Sequence, residues 1–357
     1  MKLFLIYLKE FLRNSTLKNL IFTILFVGLL TVLNYRYGIE RRIRDIHPWY
    51  LSLMSFFFFY GFVLFFCWGL QYSFGRRRRR SPGAERHGTG KADGPQPGGR
   101  RRLLLLILVA PLFFAFKMIH WDLSVLFPAA WKAPWDAYAQ IVLQLPAKLL
   151  LLCMVLWGCK KMQEEQGGGE AGWMGGIGRP GGAGGMPAEK GWVQAASGWL
   201  SYYGLTTKNF QARPYFGVLL LLVPLIALAS TRPDFLHTYP KVQRIAFLCD
   251  VARPLWPWQL LYELSYGLDF LNIELFFRGF LVIGLARYAG ANAILPMAAF
   301  YCTIHFGKPL GECISSFFGG LMLGVIALRT RSIVGGLIVH LGLAWMMEIG
   351  GWIGNSL

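Results

Sequence analysis

The chain has 357 residues, 55% of them hydrophobic and only 15% charged, with a mean hydropathy of +0.44. A water-soluble core has no need of so many long apolar runs, so the composition predicts an all-α, polytopic transmembrane helix bundle. The formal net charge of +18 would suit nucleic acid, but residues 76–102 alone carry ten Lys/Arg against Glu85 and Asp93, eight of the eighteen net charges. That segment lies between two apolar runs and lacks interleaved aromatics. It reads as a loop on the cytoplasmic side, with membrane lipid and not nucleic acid as its partner.

Met1 to Asn14 sets Lys2, Lys9 and Arg13 around Leu5, Leu8 and Leu12, the pattern of an interfacial helix. Its apolar part is short and no small-residue cleavage site follows, unlike a cleaved signal. Asn19 to Tyr35 and Trp49 to Tyr72 are the first two spans, followed by the Arg-rich loop at about 74–102, which has no periodicity. Leu103 to Ile119 and Tyr138 to Cys159 are spans three and four, with Trp121, Trp131 and Trp135 between them as interfacial anchors. Residues 1–165 thus form an N-terminal part, 166–192 a Gly-rich linker and 193–357 a C-terminal part.

Five more spans follow, giving about nine: Pro214 to Ser230, Leu260 to Ala286, Ala291 to Phe306, Cys313 to Leu328 and Ile333 to Ile353. Gly319, Gly320 and Gly324 set small residues at helical spacing, which lets a neighbouring helix approach closely. Most basic loops fall on one side when the N-terminus is cytoplasmic, although Arg36, Arg41, Arg42 and Arg44 run against that pattern. The six cysteines form no CxxC or other metal spacing and read as structural thiols.

Within these runs, ionisable groups stand at membrane depth in three places: Glu274 with Arg278, His305, and His340. A charged side chain there costs roughly 2.5 to 3.5 kcal/mol on insertion scales, so the default reading is a functional site. Glu274 and Arg278, four residues apart, share one helix face. The three places lie on three predicted helices, which lets them converge in the bundle interior. A carboxylate and two imidazoles in such a place can activate water and steady an oxyanion. Each also has a plainer use, an ion pair within one helix or a hydrogen-bonded packing histidine. Zinc is the rival chemistry, but no HExxH spacing occurs, and 31 and 35 residues separate Glu274, His305 and His340, so no metal is expected.

The ordered series Glu274-Leu-Phe-Phe-Arg278-Gly279, Tyr301-Cys-Thr-Ile-His305 and the stretch from Phe317 through Arg329-Thr-Arg-Ser332 to His340 resembles one known family. It is similar to the CAAX protease and bacteriocin-processing (CPBP, or Abi) family of intramembrane glutamic endopeptidases, whose pattern is EExxxR, then FxxxH, then HxxxN. The resemblance covers roughly residues 197–353. It implies metal-independent, cofactor-free proteolysis of a peptide or protein substrate near the membrane, in a setting such as the bacterial inner membrane. In the family the first glutamate and the second-motif histidine activate water, and the third-motif histidine and asparagine hold the oxyanion. Carried over, Glu274 and Arg278 match the second glutamate and the arginine, His305 the second-motif histidine and His340 the third. Ile273 stands where the first glutamate belongs, Ala344 where the asparagine belongs, and Tyr301 where the phenylalanine belongs. One helical step turns a side chain by about 100°, so Glu274 replaces the missing carboxylate only if the helix is rotated or kinked there. Two outcomes stay open: a working endopeptidase, or a catalytically silent relative that binds or scaffolds membrane peptides.

Overall fold

A computed structural model of the protein describes residues 2–15, 17–79, 99–127, 133–165, 198–208 and 210–357. The middle of the Arg-rich loop, Trp131 and the Gly-rich linker lie outside the described residues. Every regular element among the described residues is helical. In the N-terminal part these are α1 (Lys2–Asn14), α2 (Leu17–Tyr37), α3 (Ile39–Arg44), α4 (Trp49–Arg79), α5 (Gly99–Met118), a 3-10 turn (Ser124–Leu126) and α6 (Trp135–Glu165). The C-terminal part holds α7 (Arg213–Ala229), α8 (Pro233–Thr238), a 3-10 helix (Lys241–Leu248) and α9 (Trp256–Glu274). Beyond α9 come a π-helix (Leu275–Gly284), α10 (Ala286–Ala289), α11 (Ile294–Thr303), α12 (Leu310–Thr330) and α13 (Val334–Ser356). Pro214, Pro233 and Pro257 open α7, α8 and α9, where a missing N–H costs nothing because no helical partner exists for it.

Among the described residues, five helices are long and apolar enough to cross a membrane: Leu17–Tyr37, Trp49–Gln71, Trp135–Gln163, Leu310–Thr330 and Val334–Ser356. Leu103–Met118 and Arg213–Ala229 are apolar but shorter. Seven of the nine expected spans therefore correspond to single apolar helices, and the other two take different forms. The expected span over Leu260 to Ala286 is α9 running straight into the π-helix. The expected span from Ala291 to Phe306 is the ten-residue α11, all of whose residues are buried. At 1.5 Å per residue it covers about 15 Å, half a bilayer core. It is a central post, walled by α2, α4 and α12.

Phe4 and Phe11 turn α1 inward, while Leu5 and Leu12, expected on its apolar face, stay exposed as an interfacial helix allows. One apolar cluster then runs from α1 through α4 and α5 to the π-helix, α11 and α12. Its centre is aromatic: ring centroids lie 4.9 Å apart for Tyr60 and Phe300, 5.3 Å for Phe114 and Phe276, and 5.4 Å for Phe277 and Phe300. Lipid is as apolar as these rings, so burial alone drives little association here. Close packing and edge-on ring geometry carry it, at about 0.5–1.5 kcal/mol per aromatic pair. The glycines of α12 divide by face. A Cβ at Gly320 would meet Tyr301 Cδ1 at 2.9 Å and one at Gly324 would meet Met297 Cε at 2.5 Å, but Gly319 has nothing within 4 Å. Only the first two seat α12 on α11, so the expectation for Gly319 is corrected.

Candidate active site

Three elements meet at Glu274, the last residue of α9. Arg278 follows in the π-helix, and its Nη1 lies 3.2 Å from Glu274 Oε1. From α13, His340 brings Nδ1 to 2.6 Å of the same oxygen. Gly336, one turn earlier on α13, leaves the space that the carboxylate fills, since a Cβ there would lie 2.3 Å from Oε2. Glu274 and Arg278 are fully buried, and His340 nearly so. These approaches are close in distance, yet Glu274, Arg278 and His340 Nδ1 make no hydrogen bond of good angle among the described residues. Buried charges are costly unless paired, and here Arg278 and His340 both lie within ion-pair distance of the one carboxylate.

Tyr301, near the end of α11, ties the remaining groups together. Its hydroxyl lies 2.7 Å from His340 Nε2, and the Arg278 guanidinium carbon sits 4.3 Å above its ring. His305, one turn further on, packs its ring edge-on at 4.7 Å from that of Tyr301, and its Nδ1 lies 2.9 Å from the Tyr301 carbonyl oxygen. A carbonyl only accepts, so His305 Nδ1 carries the proton and Nε2 keeps its lone pair. The same logic fixes His340: Nδ1 faces a carboxylate and must bear the proton, so Nε2 accepts from the Tyr301 hydroxyl. The four expected residues are thus brought into one group, with His305 joined to it through Tyr301.

Sequence reasoning gave Tyr301 no role, and the only available signal was a hydroxyl-bearing residue four positions before His305. It also assigned nothing to Asn272, whose fully buried amide has both polar atoms unpaired. Ile273 turns the other way and packs against the main apolar cluster. Ala344, one turn after His340, is buried and carries no donor.

The turn from α11 to α12 is held from both parts of the chain. Tyr35 donates to the Lys308 carbonyl at 2.5 Å, and a Cβ at Gly307 would lie 2.9 Å from Glu40 Oε2. Gly307 also has φ +84, a left-handed conformation open to glycine. Lys308 pairs with Glu312 at 2.6 Å, and Glu312 accepts from Tyr239 at 3.1 Å. Glu348 accepts the first backbone N–H groups of the 3-10 helix, from Lys241 at 2.8 Å and Val242 at 3.2 Å. Burial holds the Lys241 ammonium down to about 8, with the nearby Lys308 and Arg244 charges adding to it. The start of α13 is pinned by Ser332 donating to the Thr206 carbonyl at 2.5 Å and Ile333 N–H donating to Gly204 at 2.8 Å. Among the described residues, no three His, Cys, Asp or Glu side chains are grouped to hold a metal ion.

Residues 260–346 match the sequence model of the type II CAAX prenyl endopeptidase Rce1-like family. No curated protein and no solved structure matches the chain. The matched segment starts inside α9 and ends inside α13, so it contains Glu274, Arg278, Tyr301, His305 and His340. The match supports a membrane-endopeptidase kind of function, and the long apolar helices suit an integral membrane protein. The helices α1 to α8 lie outside the CAAX-endopeptidase match.

Proposed function

We propose that the protein is a membrane-embedded, metal-independent endopeptidase that cleaves a peptide or protein substrate near the membrane face. The observation that carries this is the contact chain Glu274–His340–Tyr301 with His305 packed beside it. His305 takes a proton from the attacking water through Nε2 and later returns it to the leaving amine. Glu274, fully buried between Arg278 and His340, acts through His340: it fixes that ring's tautomer and balances charge as the reaction proceeds. Glu274, matched to the family's second glutamate, thus orients a histidine and does not take over the water-activating role of the first, where Ile273 stands. The N-terminal spans serve as the wall that steadies the His305 turn, with the N-terminus on the cytoplasmic side and lipid around the bundle.

The family description suggests the first substrate to try, a peptide with a prenylated C-terminal CAAX sequence. The full chain in proteoliposomes is given a fluorogenic farnesylated CAAX peptide and a mixture of membrane peptides read by mass spectrometry. Glu274→Ala, His305→Ala and His340→Ala are each expected to lose about 100-fold or more in kcat/KM, and chelators to change nothing. If all three variants process peptides as the parent does, the endopeptidase reading fails. A second reading, a catalytically silent peptide-binding relative, is favoured by Ile273 and Ala344, which leave two expected polar positions apolar. Binding of the farnesylated peptide by the parent chain without any cleavage would select it.

A further inference from the structure

We infer that Tyr301 is a catalytic residue whose hydroxyl holds the oxyanion of the tetrahedral intermediate, a role that rests on the endopeptidase reading. Hydrolysis needs a donor at the place where negative charge develops, and the group around Glu274 offers few candidates. Both nitrogens of His340 already face other groups, Nδ1 at 2.6 Å from Glu274 and Nε2 at 2.7 Å from Tyr301. Arg278 is fully buried, set against Glu274 on one side and the Tyr301 ring on the other. Ala344 presents no polar atom from the next turn of α13. The Tyr301 hydroxyl is a donor that can rotate about its C–O bond.

Its surroundings suit the role in two ways. In the resting site its hydrogen points at a neutral imidazole nitrogen. Turning it toward an oxyanion exchanges an ordinary hydrogen bond for a charge-assisted one, roughly twice as strong. The gain exists only once the charge has formed, and such interactions are the ones that accelerate a reaction. The Arg278 guanidinium 4.3 Å above the ring also withdraws electron density and strengthens the O–H as a donor.

The step balances within this group. Water oxygen bonds to the scissile carbonyl carbon as its proton passes to His305 Nε2. The carbonyl π pair moves to oxygen, which accepts the Tyr301 hydrogen bond. Collapse re-forms the carbonyl, the C–N bond breaks, and the amine leaves with the proton held by His305. Tyr301 keeps its proton throughout.

The test compares parent and Tyr301→Phe, the full chain in proteoliposomes, on the farnesylated CAAX peptide. Two inhibitors of the same sequence accompany it: a difluoroketone whose hydrate mimics the intermediate, and a reduced amide that has no carbonyl oxygen. The expected result is a fall of about 100- to 1,000-fold in kcat with KM little changed. Difluoroketone affinity should fall with kcat while reduced-amide affinity holds. Placing 3,5-difluorotyrosine at position 301, which keeps ring and oxygen and makes the phenol more acidic, should move the alkaline limb of kcat to lower pH. That substitution also decides the matter if Tyr301→Phe does not fold. A Tyr301→Phe enzyme with unimpaired kcat, equal weakening of both inhibitors, or an unmoved alkaline limb would each overturn the proposal alone. A parent chain that hydrolyses nothing overturns the endopeptidase reading, and this proposal with it.

Discussion

At position 336 a hydrogen atom stands where any other residue would place a carbon, and the Glu274 carboxylate occupies the space. Gly336→Ala forces Cβ to 2.3 Å of Oε2 and must displace a buried charge from His340 and Arg278. It should cost about 1–3 kcal/mol, read as a lower melting temperature in detergent, and abolish peptide cleavage. Gly319→Ala, with nothing within 4 Å, should leave both unchanged to within about 0.5 kcal/mol. The ion pair makes a second prediction at this scale. Arg278→Met alone leaves Glu274 buried and uncompensated and should destabilise by about 3–5 kcal/mol, whereas Glu274→Leu/Arg278→Met together should cost less. Equal melting temperatures for the single and double variants would contradict it. The charged members of the group were legible in the sequence because charge in an apolar run is costly. Tyr301 was not, because a tyrosine among aromatics reads as apolar packing until α13 places a ring nitrogen beside its oxygen.

The π-helix is the element whose form the sequence concealed. Ten consecutive residues from Leu275 to Gly284 are buried, and a run that is apolar on every side carries no periodicity to separate i+4 from i+5 bonding. One trace is visible in retrospect: Gly279 and Gly284 are five apart, about one π turn, and both face Tyr203. Cβ atoms there would lie 2.8 Å from the Tyr203 carbonyl oxygen and 2.9 Å from its Cε1. The first obstacle is backbone and cannot rotate away. Gly279→Ala should therefore cost about 1–3 kcal/mol and lower kcat by moving the adjacent Arg278, both measurable on the variant used for the peptide assay. Retention of full activity would mean that the site tolerates a shift of the π-helix. α11 shows the same limit: a short central helix and a longer span have the same apolar composition, and hydropathy reveals neither its ten-residue length nor its complete burial.

Over the whole molecule, the N-terminal part and the segment that matches the family share one core. Tyr60, Phe113 and Phe114 cover Phe276, Phe277 and Phe300, Lys117 pairs with Asp269, and Arg329 pairs with Glu10 at 2.7 Å. A chain starting at residue 193 would face lipid with the inner aromatic surface and two charges stripped of their partners. It should express as an aggregating species on size-exclusion chromatography and cleave nothing. Co-expression of residues 1–165 with 193–357 should restore a monodisperse, active complex, since the interface lies between folded helices. An active, monodisperse 193–357 fragment would contradict this. The helical class and most helix positions were legible from hydropathy alone, but which helices touch was not, because apolar faces in lipid carry no mark of their partners.

The placing of Glu274 and Arg278 on one continuous helical run bears on how the chain enters the bilayer during synthesis. Had the two charges come from different helices, each would have crossed the hydrocarbon alone and waited there for the other. Four residues apart, they neutralise each other as soon as that helical turn forms. The segment can therefore leave the insertion machinery before α13 has been made, and His340 arrives at a carboxylate that is already at membrane depth.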